Sequence, residues 1–228
     1  MTREFSAWVG PSDKRLLSDL LRAVGSPTRY RKAMYRLGGA LGREIEKRLP
    51  SRGDVVLVCT VEDADYLARG VLEVVEGTRR VALQCFWNLR KKIGGRELAP
   101  IIGRYEEPFA ANNVGALVVV KSIIAGACVV RTNLMEVIER VGRKVPLLVA
   151  APVIHEQALV KLAAEFSAED VRRIVPIWCA RDSERTDGFV IPGIGGSVYE
   201  LLGLGDEVSK NRVRPRILDE RPTRLESV

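Results

Sequence analysis

From residue 54 onward the chain alternates unbroken apolar runs with segments of helical spacing, and nothing else in it limits the fold as strongly. The runs are DVVLVCT, RRVALQCFW, ALVVVKS, KVPLLVAAP and VRRIVPIWCA. Between them lie VEDADYLARGVLEVVEG, AGACVVRTNLMEVIERVG and HEQALVKLAAEF, where apolar residues return every three or four positions. Short Val/Ile/Leu runs without polar alternation predict strands buried on both faces, and helical connections predict that those strands are parallel. Two amphipathic helices are expected ahead of the sheet, over residues 13 to 25 and 26 to 49, with Ser26 as N-cap and Pro27 at the first helical position. The expected architecture is an α/β domain with a parallel sheet, Rossmann-like in type, preceded by helices.

The length of 228 residues suits one such domain. We expect an N-terminal arm over 1–12, a single domain over 13–206 and a charged tail over 207–228, with its end, VRPRILDERPTRLESV, loosely ordered. The stretch from Asn88 to Asn113 is longer than ordinary connections and predicts a flap or hairpin. No apolar run approaches the ~20 residues that cross a bilayer, and the start lacks the apolar centre of a signal peptide. A cytoplasmic protein without a membrane partner is expected. The four cysteines are widely spaced and there is one histidine, which argues against a zinc site and against a disulfide framework. A net charge of +7 suits an anionic partner, although Lys and Arg are scattered, so a nucleic-acid partner has weak support.

In open parallel sheets ligands bind beyond the carboxyl ends of the strands. The turns after Cys59, Val120, Ala151 and Ala180, and the loop around Gly193, are therefore where function is sought. The last of these lies in GFVIPGIGGSVYELLGLGD, downstream of LLVAAP. Together the two segments resemble the end of uracil phosphoribosyltransferase, where a strand closing on Ala-Ala-Pro precedes a Tyr-(Ile/Val)-Val-Pro-Gly-Leu-Gly-Asp loop that cradles the base. Upstream, SPTRYRKAMYRLGGALGREIEKRLP is similar to the family's Ser-Thr-x-x-Phe-Arg helix, with Tyr30 and Arg31 at the Phe-Arg positions. The resemblance covers about residues 13 to 206 and implies a phosphoribosyltransferase-like fold, a homodimer or higher assembly, and a small base-like or phosphorylated ligand.

It also implies a phosphoribosyl pyrophosphate (PRPP) signature, in which an acid takes the ribose hydroxyls and Ala-Thr-Gly-Gly takes the 5′-phosphate at a helix N-terminus. Here the acid position is Lys121, followed by Ser122, and the phosphate turn reads Ala125, Gly126, Ala127, Cys128. Lys121 has donors only and cannot accept from ribose hydroxyls. Glu62 stands where the family's pyrophosphate loop has arginine, and Asn88 where it has the arginine of Tyr-Arg-Asp. No cofactor is expected; magnesium, which bridges the pyrophosphate in the family, is the one candidate left open, although the family-type ligands are missing here. The base loop keeps its shape in Phe189, Ile191, Gly193 and Gly195, with Gly196 replacing its acid.

Glu62, Asp63 and Asp65 gather acids at a strand end. They read either as acid/base or metal-binding groups of a remodelled pocket, or as the ordinary acidic first turn of the following helix. Lys121 facing Glu62 or Asp63 would reverse the family's charges. Cys128 at a helix start reads as a nucleophile or a buried filler, and His155 after the Ala-Ala-Pro strand as an acid/base group or a plain loop residue. The residues support three functions: a homologue that has lost PRPP transfer and uses the pocket for another reaction on a base-like or amide-bearing molecule, a non-catalytic nucleotide- or RNA-binding regulator, or an active uracil phosphoribosyltransferase.

Overall fold

The computed structural model describes residues 3–94, 96–142 and 144–221. The chain opens with strand β1 (Arg3–Phe5) and helices α1 (Pro11–Arg22) and α2 (Pro27–Glu46). Strand β2 (Asp54–Thr60) runs into α3 (Val61–Asp63), a π-helical turn (Ala64–Ala68) and α4 (Arg69–Val75), a continuous helical stretch that leads to β3 (Val81–Asn88). A small hairpin, β4 (Lys91–Ile93) with β5 (Arg96–Leu98), precedes β6 (Ile101–Glu106). Strand β7 (Val114–Val120), the short β8 (Ile123–Ile124) and α5 (Cys128–Ile138) follow. Next come β9 (Leu147–His155), α6 (Ala158–Ala163), α7 (Ala168–Arg173) and β10 (Ile174–Asp182). A second hairpin, β11 (Glu184–Thr186) with β12 (Phe189–Ile191), leads to α8 (Val198–Leu201) and α9 (Arg216–Glu220).

The main sheet has the order β1-β10-β9-β7-β2-β3-β6, with β8 continuing alongside β9. The five central strands are parallel, as the apolar runs predict. Both edges are antiparallel: β1, from the expected N-terminal arm, pairs with β10, and β6, from the expected excursion, pairs with β3. Three to six residues of mixed polarity have no periodicity to mark them as strands, and only the neighbouring strand supplies their partners.

The pleat sorts each strand's side chains between two cores. Val55, Leu57 and Cys59 face the layer of α1, α2 and α4, whereas Val56 and Val58 face the layer that includes α5 and α6. Each fully buried Val or Leu stabilises the fold by about 1.5–3 kcal/mol, which is why the continuous apolar runs lie in the middle of the sheet. Helices α2 and α4 cross so closely that a Cβ on Gly70 would lie 2.2 Å from the Tyr35 carbonyl oxygen.

The expected loose tail is docked as far as Arg221. Asp65 accepts the backbone N–H groups of Arg216 and Ile217 at 3.0 and 2.9 Å and so starts α9. Arg221 closes the segment with two bonds to Glu107, at 2.7 and 2.8 Å. Charged sequence alone reads as solvated; here its charges meet partners that are distant in sequence. The remainder of the expected tail lies outside the described residues. No helix among the described residues is long and apolar enough to cross a membrane.

Candidate functional site

The connection from β2 to β3 leaves to one side of β2, and the connection from β7 to β9 leaves to the other side of β7. Between β2 and β7 the sheet therefore has its topological switch point, where such folds open a crevice at the carboxyl ends of the strands. Glu62 and Asp63 follow β2 at this place, and Lys121 follows β7.

These three residues meet. Lys121 Nζ lies 2.7 Å from Asp63 Oδ2 and 3.1 Å from Glu62 Oε1, and none of the three side chains is more than 3% exposed. Thr60 Oγ1 donates to Asp63 Oδ2 at 2.8 Å, and the Ser122 backbone N–H donates to Asp63 Oδ1 at 3.2 Å. Lys121 also donates to Ser122 Oγ at 3.2 Å. A second ammonium, Lys210, approaches Glu62 Oε2 to 3.8 Å, donates to the Asn88 carbonyl at 2.7 Å and lies 5.0 Å over the Tyr199 ring. Lys210, Tyr199 and the 3₁₀ turn Ser209–Arg212 come from the C-terminal part of the chain, and no local motif signals their arrival here.

Burial works to lower the Lys121 pKa, but Asp63 and Glu62 outweigh it, so the ammonium keeps its proton. Burial likewise works to raise Glu62, but Lys121 and Lys210 pull it down to about 2. Asp63 goes the other way, raised by burial and by the neighbouring Glu62 charge against the pull of Lys121. One ammonium shared by two buried carboxylates stabilises a single unit of negative charge best, and the second ammonium, beside Glu62, decides which carboxylate is held low.

Beside the ion pair lies a cavity of about 310 Å³. Its walls are the β4–β5 hairpin, the turn from Lys121 into α5, and the β11–β12 hairpin, which contribute Arg90, Lys91, Lys92, Lys121 and Arg185 against a single carboxylate, Glu97. Ala125, Gly126 and Cys128 line it. Arg185 reaches across to donate to the Ala125 carbonyl and ties the second hairpin to the α5 turn. The volume lies at the lower end of the range for small-molecule sites. A larger cleft of about 830 Å³ begins at Val81, the opposite end of β3. Four of its charged residues are paired across it, Arg221 with Glu107 and Arg69 with Glu220, and these pairs hold the C-terminal segment.

Asp65 and His155 lie elsewhere, and Cys128 is on the cavity wall as a hydrogen-bonded thiol. Asp65 points to α9, as described, because successive residues of one helical turn face different directions. His155 is buried at the end of β9, its Nδ1 accepting from the Gln157 backbone N–H at 3.2 Å and its Nε2 donating to the Ser183 carbonyl at 3.2 Å. Both ring nitrogens are engaged with backbone, which makes it a strand-end clamp. Cys128 donates to the Glu97 carbonyl at 3.2 Å, and burial raises its pKa, so it is a thiol rather than a nucleophilic thiolate.

The loop Phe189–Gly196 does not line the cavity; only Gly188 and Arg185 of that hairpin do. Its backbone groups are used within the fold. Gly193 N–H donates to Asp182 Oδ2 at 2.9 Å, Gly193 C=O accepts from Arg3 at 2.7 Å, and the Ile194 carbonyl accepts from Tyr30 Oη at 2.9 Å. Gly193 sits at φ +54°, where a Cβ would lie 2.1 Å from the Val190 carbonyl oxygen. Ile191 is half-buried and leads into this turn, Gly195 N–H closes it onto the Pro192 carbonyl at 3.2 Å, and Gly196 follows at φ +137°. Phe189 projects outward, 45% exposed. The cavity's basic character rests instead on the Arg-Lys-Lys run that opens the flap, a signal present in the sequence but diluted among scattered charges.

No protein-family model matches the chain, and no curated protein matches it. Among solved structures, the AQ2163 protein from Aquifex aeolicus is similar, with a TM-score of 0.66 at 16% identity over 87% of this chain and 97% of that one. The likeness shows a shared α/β fold. More distant are a hypoxanthine phosphoribosyltransferase from Staphylococcus aureus, with a TM-score of 0.43 at 12% identity over 63% of this chain and 73% of that one, and a hypoxanthine-guanine phosphoribosyltransferase from Bacillus anthracis, with a TM-score of 0.40 at 10% identity over 69% and 76%.

Proposed function

We propose that the chain is a phosphoribosyltransferase-like protein, related to the uracil enzymes, that has given up PRPP-dependent transfer and binds a small anionic molecule with a base-like or amide-bearing part. The observation that carries this reading is the locked Lys121. A ribose needs an acceptor at the switch point, and the group there is an ammonium held by Asp63 and Glu62 at 2.7 and 3.1 Å. Five cationic side chains and one carboxylate around the adjoining cavity favour an anion.

The test combines turnover and binding. Uracil and PRPP incubated with the protein are expected to yield no uridine monophosphate, and PRPP with magnesium is expected to raise the melting temperature no more than inorganic phosphate does. Steady formation of uridine monophosphate would overturn the reading. A non-catalytic RNA-binding role is favoured by one observation, the exposed Phe189, which follows the cavity-lining Gly188 in the chain, since exposed aromatic rings stack single-stranded bases. That role requires RNA affinity that falls steeply with salt.

A further inference from the structure

Helix α2 has two faces of opposite character. Tyr30, Met34, Leu37, Leu41 and Ile45 are buried in the core, whereas Arg29, Lys32, Arg36 and Arg43 are exposed. At about 100° per residue these four fall within an arc of about 60°, and they extend over about 21 Å of the helix. Among the described residues none of the four has an ion-pair or hydrogen-bond partner. The acids of the same helix are claimed elsewhere. Glu44 is held by Arg48 at 2.7 Å and Lys47 at 3.3 Å, and Glu46 by Thr78 at 2.8 Å and Arg79 at 3.3 Å. The sequence interleaves these cations with apolar residues, and the winding of the helix gathers them into one line of uncompensated positive charge.

Along this line lies a groove of about 540 Å³, lined by Arg36 and Arg43 together with Tyr35, Gly39 and Gly70. Tyr35 is exposed, and its hydroxyl donates to Glu73, the single carboxylate among the lining residues. Cations that track phosphates, beside an aromatic ring on which a base stacks, are the combination that holds single-stranded nucleic acids. An anionic bilayer is too flat to enter a groove, and the base faces of a duplex are already stacked on one another. We propose that this face of α2 binds single-stranded nucleic acid, with Arg29, Lys32, Arg36 and Arg43 on the phosphates and Tyr35 against a base. The groove shares no residue with the cavity, and α5, whose start walls the cavity, lies in the opposite layer, so the proposal is independent of the anion reading.

Fluorescence anisotropy with a labelled oligouridylate of about twelve nucleotides tests it. The expected result is binding at about 50 mM salt that weakens with a slope of about −3 in log K against log salt concentration, as four phosphate contacts on a single strand require. Lys32→Ala with Arg36→Ala is expected to halve that slope. Tyr35→Ala is expected to weaken binding by about tenfold at an unchanged slope, and Tyr35→Phe to keep wild-type affinity. Lys91→Ala with Lys92→Ala, on the cavity wall, and Phe189→Ala are each expected to leave binding unchanged. All these side chains are exposed, so the variants fold, and their melting temperatures check this.

No binding at about 50 mM salt would overturn the proposal. So would an affinity unchanged by the Lys32 and Arg36 replacements, or one lost on replacing Phe189 or the Lys91 and Lys92 pair. Equal affinity for a duplex of the same length would overturn it as well. Adsorption to phosphatidylserine vesicles without oligonucleotide binding would overturn it in favour of a membrane surface.

Discussion

Lys121 Nζ and Asp63 Oδ2 lie 2.7 Å apart in the interior, joining the ends of the neighbouring strands β7 and β2. Removing one partner of a buried pair strands the other charge, so Lys121→Met is expected to cost about 3–5 kcal/mol. Replacing both, with Asp63→Leu added, is expected to cost less than the sum of the single changes by about 0.5–3 kcal/mol. Urea denaturation of the four proteins measures this, and strict additivity would show that the two groups are not coupled.

His155 is the only histidine, which makes its titration readable by proton NMR. Burial, helped by the Arg185 charge, lowers its pKa below 6.5. The sign follows. Above pH 6.5 both folded and unfolded chains hold it neutral; below 6.5 the unfolded chain takes up the proton first, so stability falls until the pH passes the folded pKa. His155→Gln should remove that component of the acid-side decline. A midpoint at or above 6.5 would contradict the clamp described for its two ring nitrogens.

Asn88 ties the flap to α5 and to Lys210. Its Nδ2 donates to the Ala99 carbonyl at 3.0 Å and to Asn133 Oδ1 at 2.9 Å, and its own carbonyl accepts from Lys210 at 2.7 Å. Asn88→Ala leaves buried acceptors on the flap and on α5 without a donor, at an expected cost of about 1–3 kcal/mol. Limited proteolysis should cut within 89–98 faster than in the wild type. Unchanged cleavage would mean that the flap is held by other contacts.

Gly70 is where α4 meets α2. Alanine would gain about 1 kcal/mol of helix propensity, but its Cβ would lie 2.2 Å from the Tyr35 carbonyl oxygen and 2.8 Å from Gly39 N, backbone atoms that cannot rotate away. Gly70→Ala is therefore expected to lower stability by a net ~1–3 kcal/mol, read as a lower urea midpoint with an unchanged slope. A neutral or stabilising result would show that the two helices can separate without loss.

The sequence by itself determined the five parallel strands, the helices between them and that Glu62, Asp63 and Lys121 follow strand ends on one edge of the sheet, because continuous apolar runs must be buried on both faces and their carboxyl ends then share that edge. It also placed Ala125, Gly126 and Cys128 at the turn that became a cavity wall. Only the tertiary structure decided where Asp65, His155 and the Phe189–Gly196 loop turn. Asp65 was claimed by the N-terminus of α9, His155 by two backbone groups, and the loop by Arg3, Asp182 and Tyr30. The same holds for Lys210, which reaches Asn88 across 122 positions of sequence. Apolar periodicity is a local signal that burial reads directly. The partner of a polar group is set by whichever donor or acceptor the folded chain brings within about 3 Å, and no spacing in the sequence encodes that distance.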